Sequence, residues 1–361
     1  MEHALRPHLI SWFERLAHHT GLRAAAARKY GGIGSVVMLH SVVHRPGDWL
    51  FQDIRTSCAY VEAILRWLRR SGIDIVDMDT ALHRLRNAVP GFFVVMTFDD
   101  GYRDNMTKAL PIFERYGAPM TVYVTSQIVD RTLFYWWGGL VELFQRHDDV
   151  DVACMERRFR TATTTDRANC LYQVARWVER DVCTRAPLLT TTFHRYGITL
   201  GDLLDRDALT LAELQHFARH PLVSIGGHGH THRPLGNLSE REAAEELRDN
   251  RHFLEDALQC DIGHFSYPHG DAAACGRREA TLVRQLGYRS AVSTRKGNLF
   301  PGHGEHPFLL PRSGVNARRE RLANFQVQVS GLYRGVVSRV GSEIDPDTMA
   351  VALNAPRSLH S

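Results

Sequence analysis

No two of the six cysteines form a C-x-x-C pair: Cys58, Cys154, Cys170, Cys183, Cys260 and Cys275 are scattered along the chain. Isolated cysteines argue against a disulfide frame and suit reduced thiols in a cytoplasm, where each serves mainly as a small hydrophobe. Long apolar runs are missing too. None approaches the roughly 18 to 20 residues that spanning a bilayer requires, and Glu2, His8, Glu14 and Arg15 cut the first thirty residues before any run reaches signal-peptide length. The expectation is a soluble cytoplasmic protein without a secretory address. Peripheral association with the inner face of the membrane stays open, because Leu9, Ile10, Phe13, Leu16 and Leu22 suit an amphipathic helix, packed on the body or lying on a membrane. Charge of one sign is not in excess. The 44 Lys plus Arg against 40 Asp plus Glu leave +4, too little to call for nucleic acid as a partner. Internal repeats and low-complexity blocks are absent, and nothing signals an oligomeric state.

What is present is the mix of a folded chain: 44% apolar and 23% charged residues in 361, enough for one α/β barrel with insertions or two modest domains. Seven short apolar runs bounded by turn residues read as buried strands, at 35–43, 92–98, 120–125, 222–226, 264–267, 290–293 and 308–310. Helical periods separate several of them. Val61, Ile64, Leu65 and Leu68 share one face, and Ser239 with Glu242 forms a capping box ahead of a stripe of Ala243, Leu247, Leu254 and Leu258. Pro111 lacks an N–H and should kink or interrupt 106–116. Apolar strands alternating with helices predict a parallel sheet covered on its outside. From about 130 to 220 the pattern changes to an aromatic run (134–137) and an Arg- and Thr-rich stretch with helical periods around 171–182, which reads as an insertion. The tail after about Ser342 carries too few core-like residues to be read as folded.

Histidine is the compositional oddity, with 20 residues, and it is both the commonest metal ligand and the natural acid or base near neutral pH. Strand 92–98 ends abruptly in Asp99-Asp100-Gly101. Strand ends are where α/β barrels place their chemistry, and adjacent carboxylates diverge, so one can bind a metal while the other stays free as a base. The alternative is a plain Asp-Asp-Gly turn. At the end of another apolar run stand His228, His230 and His232. On one helical turn His228 and His232, at i and i+4, would share a face and grip one ion, leaving His230 pointing elsewhere. A carboxylate from another strand would complete a two-His, one-carboxylate site with open positions, a catalytic composition rather than a closed structural one.

Thr97-Phe98-Asp99-Asp100-Gly101 and His228-x-x-x-His232 resemble the first two motifs of the polysaccharide deacetylases, the NodB-homology domain of carbohydrate esterase family 4, and Phe265-Ser266-Tyr267-Pro268-His269-Gly270 looks like that family's groove-lining loop. The resemblance runs from about Ser35 to Gly314. It implies a distorted (β/α) barrel of about seven parallel strands with a largely helical insertion, and metal-dependent hydrolysis of an N-acetyl group on an amino sugar. The organisation expected from it is an N-terminal helical extension over 1–33, the barrel over 34–316 with the insertion at about 130–220, and a C-terminal helix and tail over 317–361.

Carried over residue by residue, the resemblance assigns Asp100, His228 and His232 as ligands of a divalent metal, with zinc expected, and Asp99 as general base. Tyr267, Pro268 and His269 fall in the substrate and oxyanion loop, where the His269 N–H matches an oxyanion donor and His269 replaces the usual Tyr. The late Leu-x-His motif that often carries the general acid is missing. A circularly permuted branch of the family places that His on its opening strand, and His40 in Val37-Met38-Leu39-His40-Ser41 fits that position; a structural His at a strand end is the alternative. The Arg that often contacts the base carboxylate is replaced by Ser266, and Arg312 is the candidate to supply the contact, against the alternative of a surface Arg near a strand end. Gly229 stands where Ser or Thr is common. The expected partner is an N-acetylated glycan, on an oligosaccharide or a lipid-linked intermediate of polysaccharide biosynthesis, and the aromatic run 134–137 either stacks on sugar or packs. Two rival readings remain: a hydrolase of a non-sugar amide on the same barrel, and a non-catalytic carbohydrate-binding protein.

Overall fold

The computed structural model describes residues 31–45 and 50–331. The apolar stripe from residue 9 to 22 and the tail after Ser342 lie outside the described residues. In chain order the elements are β1 (Gly34–Leu39), β2 (Ser41–Val43), β3 (Arg55–Ser57), α1 (Cys58–Arg70), β4 (Asp74–Val76), α2 (Met78–Arg86), β5 (Phe93–Phe98), a π-helical turn (Asn105–Ala109) running into α3 (Leu110–Arg115), and β6 (Met120–Val124). Then come α4 (Trp136–Arg146), β7 (Asp149–Val152), β8 (Arg157–Arg160), α5 (Thr164–Glu179), α6 (Leu200–Asp207) and α7 (Leu211–Ala218). The chain returns through β9 (Val223–Gly227), α8 (Glu240–Leu258), β10 (His264–Ser266), α9 (Arg277–Gln285), β11 (Ser290–Val292), β12 (Arg312–Gly314) and α10 (Leu322–Val329).

The sheet runs β11-β10-β9-β6-β5-β1-β12, with β4 on the first half of β5. Every pairing in it is parallel. All six residues of β5 and all five of β6 are buried, as expected of strands covered on both faces. One segment closes the barrel from both sides. Residues 307–310 hydrogen-bond to β11 through Ala291 and Ser293, and two residues later Arg312 pairs with Val36 of β1. The run 308–310 therefore forms a single bridge to Val292 rather than a strand, and the strand proper follows it. The result is a distorted, nearly closed (β/α) barrel.

The helices form where their caps and stripes place them. Ser57 Oγ caps α1 at Tyr60 N–H, and the helix buries Tyr60, Val61, Ile64, Leu65 and Leu68. Ser239 and Glu242 make the reciprocal capping box of α8, which ends at Gln259 in the left-handed region. Before Pro111, the chain takes the wider π turn that its missing N–H favours. Between 130 and 220 the chain is mostly helical, but β7 and β8 form an antiparallel hairpin that the sequence pattern did not reveal. One apolar cluster is continuous from the barrel into this region, joining Val122 and Phe265 to Leu140, Phe144 and Leu171. Past the barrel, α10 packs Phe325 edge-on against Trp67 of α1. All six cysteines are free, and among the described residues no helix is long and apolar enough to cross a membrane.

Candidate active site

Because the strands are parallel, the residues that follow β1, β5, β9 and β10 meet on one rim of the barrel: His40, Asp99 with Asp100, His228, and the 267–270 loop. At β5 the turn is abrupt. Asp100 and Gly101 both adopt positive φ (78° and 96°), a conformation costly for a residue with a Cβ and held here by the surrounding structure. It splits the two carboxylates, which point to different partners.

Asp99 points to Arg312. The guanidinium donates from both terminal nitrogens to the two carboxylate oxygens, at 2.8 and 2.7 Å. Its remaining donors reach Ser293 O at 2.8 Å, Ser266 Oγ at 2.9 Å and Thr97 Oγ1 at 3.3 Å. Arg312 is fully buried and Asp99 nearly so, so a surface role for Arg312 is excluded. Burial pushes the Asp99 carboxyl up, and the Arg312 charge with His228 outweighs it and holds the pKa below the usual range. His40 approaches from β1, its Nε2 3.9 Å from Asp99 Oδ2. Burial lowers the pKa of His40, against the pull of Asp100 and Asp99.

Asp100 points to the two histidines. Its Oδ1 lies 3.4 Å from His228 Nε2 and 3.3 Å from His232 Nε2, beyond a charge-assisted hydrogen bond. That oxygen is buried with no hydrogen-bond donor. The His228 Nδ1–H donates to Ser266 O at 2.7 Å, because a carbonyl can only accept, so in the neutral ring Nε2 carries the lone pair. One ligand atom from each of Asp100, His228 and His232 lies within 4.8 Å of the others. An orphaned buried carboxylate oxygen faced by two imidazole nitrogens fits a divalent cation. Burial pushes Asp100 up, but the facing imidazoles hold it well below the usual carboxylate range. Burial pushes His228 down, and Asp99 and Asp100 outweigh it and raise its pKa. A proton and a cation thus compete for the same nitrogen.

The histidines do not share a helix, contrary to the expectation from their i, i+4 spacing. They sit on a loop that doubles back through positive φ at Gly229 (76°) and His232 (59°). Two groups that the sequence reading passed over hold it. Glu246, buried on α8, accepts from Thr231 N–H at 2.8 Å, from the Thr231 hydroxyl and from Arg233 at 2.9 Å. Asn250, one turn further on, bonds Val124 O and Ser126 Oγ, and Thr125 Oγ1 donates to His228 O at 3.0 Å. Both lie on the buried face of α8, and polar residues on an apolar stripe were the available signal.

In the third loop, His269 has φ 62°, and among the described residues its N–H donates to no acceptor. Its ring sits 5.3 Å from that of His232, and burial, with His232 and His228, lowers its pKa to about 3, so the ring is neutral. Pro268 is buried beside the histidine loop, 3.2 Å from where a Gly229 Cβ would stand. Tyr267 is different: it is fully buried and its hydroxyl donates to Phe308 O at 2.8 Å, so its side chain packs the barrel rather than lining a groove. Trp137 packs against His232 with ring centroids 4.9 Å apart and the planes tilted by 43°, and donates to Tyr102 OH. With Trp136, Phe134, Val182 and Arg233 it lines a cavity of about 230 Å³ beside His232.

The sequence profile of the polysaccharide deacetylase family matches residues 86–291. A 122-residue stretch is 30% identical to the poly-beta-1,6-N-acetyl-D-glucosamine N-deacetylase of Escherichia coli K12, covering 29% of this chain and 18% of that protein. The chain thus aligns with less than a fifth of that relative's length. Among solved structures, the Streptococcus pyogenes deacetylase PplD in complex with acetate superposes with a TM-score of 0.54 over 81% of this chain and 97% of that one, at 16% identity. IcaB from Ammonifex degensii superposes with a TM-score of 0.52 over 82% and 98%, at 17% identity. These two likenesses establish the barrel fold. The profile match, which spans more than half of the residues, establishes the lineage: the chain belongs to the polysaccharide deacetylase family.

Proposed function

We propose that this chain is a divalent-metal-dependent N-deacetylase that hydrolyses the N-acetyl group of an amino sugar in an oligosaccharide or a lipid-linked glycan intermediate. The observation that carries the reading is the division of labour at the end of β5: Asp99 is locked onto Arg312, while Asp100 turns to His228 and His232. The named activity of the Escherichia coli relative, on a poly-N-acetylglucosamine, supports the substrate class. Asp100, His228 and His232 would hold the ion, zinc in this proposal, which would supply Lewis acidity toward water near neutral pH.

The chain's own groups do the rest. Asp99 accepts the proton of the attacking water, and Arg312 fixes the orientation of its carboxylate. The His269 N–H faces the oxyanion that develops on the amide carbonyl, and the left-handed turn preorganises it. His40 gives a proton to the departing nitrogen as the C–N bond breaks, leaving acetate and a free amine. Burial makes the His40 imidazolium a stronger acid, and its 3.9 Å separation from Asp99 offers a route by which the abstracted proton reaches the leaving group. We place the protein in the cytoplasm, at or near the inner face of the membrane.

The test is acetate release by the purified protein from N-acetylated oligosaccharides and lipid-linked amino sugars, with chelator and with restored zinc. Chelator-sensitive release establishes the activity. No release from protein holding one metal per chain refutes the glycan substrate in favour of a non-sugar amide, and no release with no metal bound favours a binding protein.

A further inference from the structure

The proposed acid occupies the one-residue break between two paired strands. His40 falls between the end of β1 at Leu39 and the start of β2 at Ser41, and its carbonyl and the hydroxyl of Ser41 take side-chain partners as well. The structure assigns its orientation to Asp104 and Asn105: this pair, at the start of the π turn, are positioning residues that hold the His40–Ser41 backbone and thereby aim the imidazole at the leaving nitrogen. The inference rests on the reading of His40 as proton donor.

Asn105 is fully buried, and its Nδ2 donates to His40 O at 2.7 Å. Its second Nδ2 donor goes to Asp104 Oδ1 at 3.2 Å. Both partners are acceptors only, so the amide orientation is fixed by chemistry. Asn105 Oδ1 is buried with no partner, a cost that a packing residue would not carry. Asp104 Oδ2 accepts from Ser41 Oγ at 2.6 Å, and its carboxylate also faces the Val42 N–H. Two adjacent side chains thus grip three consecutive residues, 40 to 42.

The π turn explains how both can do so. It closes with Leu110 N–H bonding Asn105 O, one residue wider than an α turn, at the point where the chain leaves Asp100 and passes beneath β2. Asp104 also borders, with Ser41 and Tyr102, a cavity of about 250 Å³.

The leaving group reads the role directly. An amine departs only with a proton, whereas 4-nitrophenolate departs without one, so loss of the acid's aim should slow N-acetyl hydrolysis far more than hydrolysis of 4-nitrophenyl acetate. The variants are Asn105→Ala and the closely isosteric Asn105→Asp, which loses the donors and keeps the volume, with His40→Ala as reference. The expected result for Asn105→Ala is a kcat on the N-acetyl glycan reduced about 30-fold, with KM and bound metal unchanged, and an ester rate reduced by no more than about a third of a log unit. A crystal structure of the same variant should show the imidazole displaced from Asp99. Equal loss on amide and ester, or an imidazole that stays in place, overturns the positioning role. If His40→Ala itself loses both activities equally, the acid assignment fails; if His40→Ala discriminates and neither Asn105 variant does, only the positioning inference fails.

Discussion

Replacing Arg312 by Met should destabilise the protein far more than the loss of one ion pair at a surface would. The Arg312 side chain is fully buried and that of Asp99 is 2% exposed. In the variant Asp99 keeps its charge without the two hydrogen bonds at 2.7 and 2.8 Å that neutralise it, and Ser293 O and Ser266 Oγ each lose a partner. Breaking a buried pair on one side costs about 3–5 kcal/mol, because an uncompensated charge stays behind. In a domain of this size that lowers Tm by roughly 5 to 9 °C. Removing both charges should cost less than removing one. Asp99→Leu with Arg312→Met eliminates the stranded carboxylate, and the double variant should recover about 2 kcal/mol or more relative to Arg312→Met alone. Urea unfolding followed by circular dichroism, in chelator so that the metal does not contribute, measures all four corners of the cycle. A double variant as unstable as Arg312→Met, or an Arg312→Met protein within about 0.5 kcal/mol of the parent, would refute the claim that a stranded charge sets the cost.

Asp99→Asn should retain metal and lose about 10²- to 10⁴-fold in kcat, whereas His228→Ala should lose metal and turnover together; metal content and acetate release distinguish them, and an active Asp99→Asn enzyme refutes the base. Gly229→Ala puts a Cβ 3.2 Å from Pro268 Cγ at φ 76°, a strain of about 1–2 kcal/mol, and by disturbing the turn between His228 and His232 should weaken zinc about 10-fold in calorimetry; unchanged affinity would mean that the turn does not set their spacing. Asp79 is held down to about 2 by His264, whose Nε2 lies 3.1 Å from its Oδ1, and by Arg289, against burial. Its folded pKa lies below its unfolded one, so its stabilisation is present above about pH 4 and lost as pH falls toward 2. Solvent screening limits it to about 1 kcal/mol or less, so Asp79→Asn should lower stability at pH 7 and match the parent at pH 2; a pH-independent difference would count against it. Trp136→Ala, at the wall of the cavity beside His232, should raise KM for the glycan with metal content unchanged, and an unaltered KM removes sugar contact from its role.

How much of this could be read from the chain depended on whether a feature is local. The strands β5 and β6 were legible because both faces are buried and the sequence is apolar throughout; the cap of α8 was legible because Ser239 and Glu242 are three residues apart and bond each other. The hairpin β7–β8 was not. Its residues alternate, with Val150, Val152 and Phe159 buried, but Arg157, Arg158 and Arg160 on the second strand pair with, or extend toward, solvent and Asp149, so the run looks like polar linker. The histidine loop misled for a related reason. An i, i+4 spacing is compatible with a helical turn, but Gly229 supplies the left-handed step that brings the same two rings together without one.

Arg312 shows the limit of reading a site as a set of motifs. The buried Asp99 carboxylate, the base of the proposed mechanism, takes a cation at one point in space, and in this chain that cation does not stand in the 265–270 segment, where Ser266 occupies the usual Arg position. It comes from β12, the strand that closes the barrel against β1, 46 residues further on. The exchange requires two conditions that only the fold reveals. The closing strand must carry position 312 to the level of Thr97 and Asp99, and the residue at 266 must be small enough to admit a guanidinium and polar enough to accept from it, which Ser266 Oγ does at 2.9 Å. Ser266 and Arg312 are therefore one unit divided between two strands. Restoring the family pattern with Ser266→Arg, in the presence of Arg312, should place two guanidinium groups on one carboxylate and be destabilising by like-charge crowding in a buried site. Ser266→Arg with Arg312→Ser should relieve that crowding, and thermal denaturation of the three proteins decides it: if Ser266→Arg alone is as stable as the parent, the two positions do not share one place around Asp99.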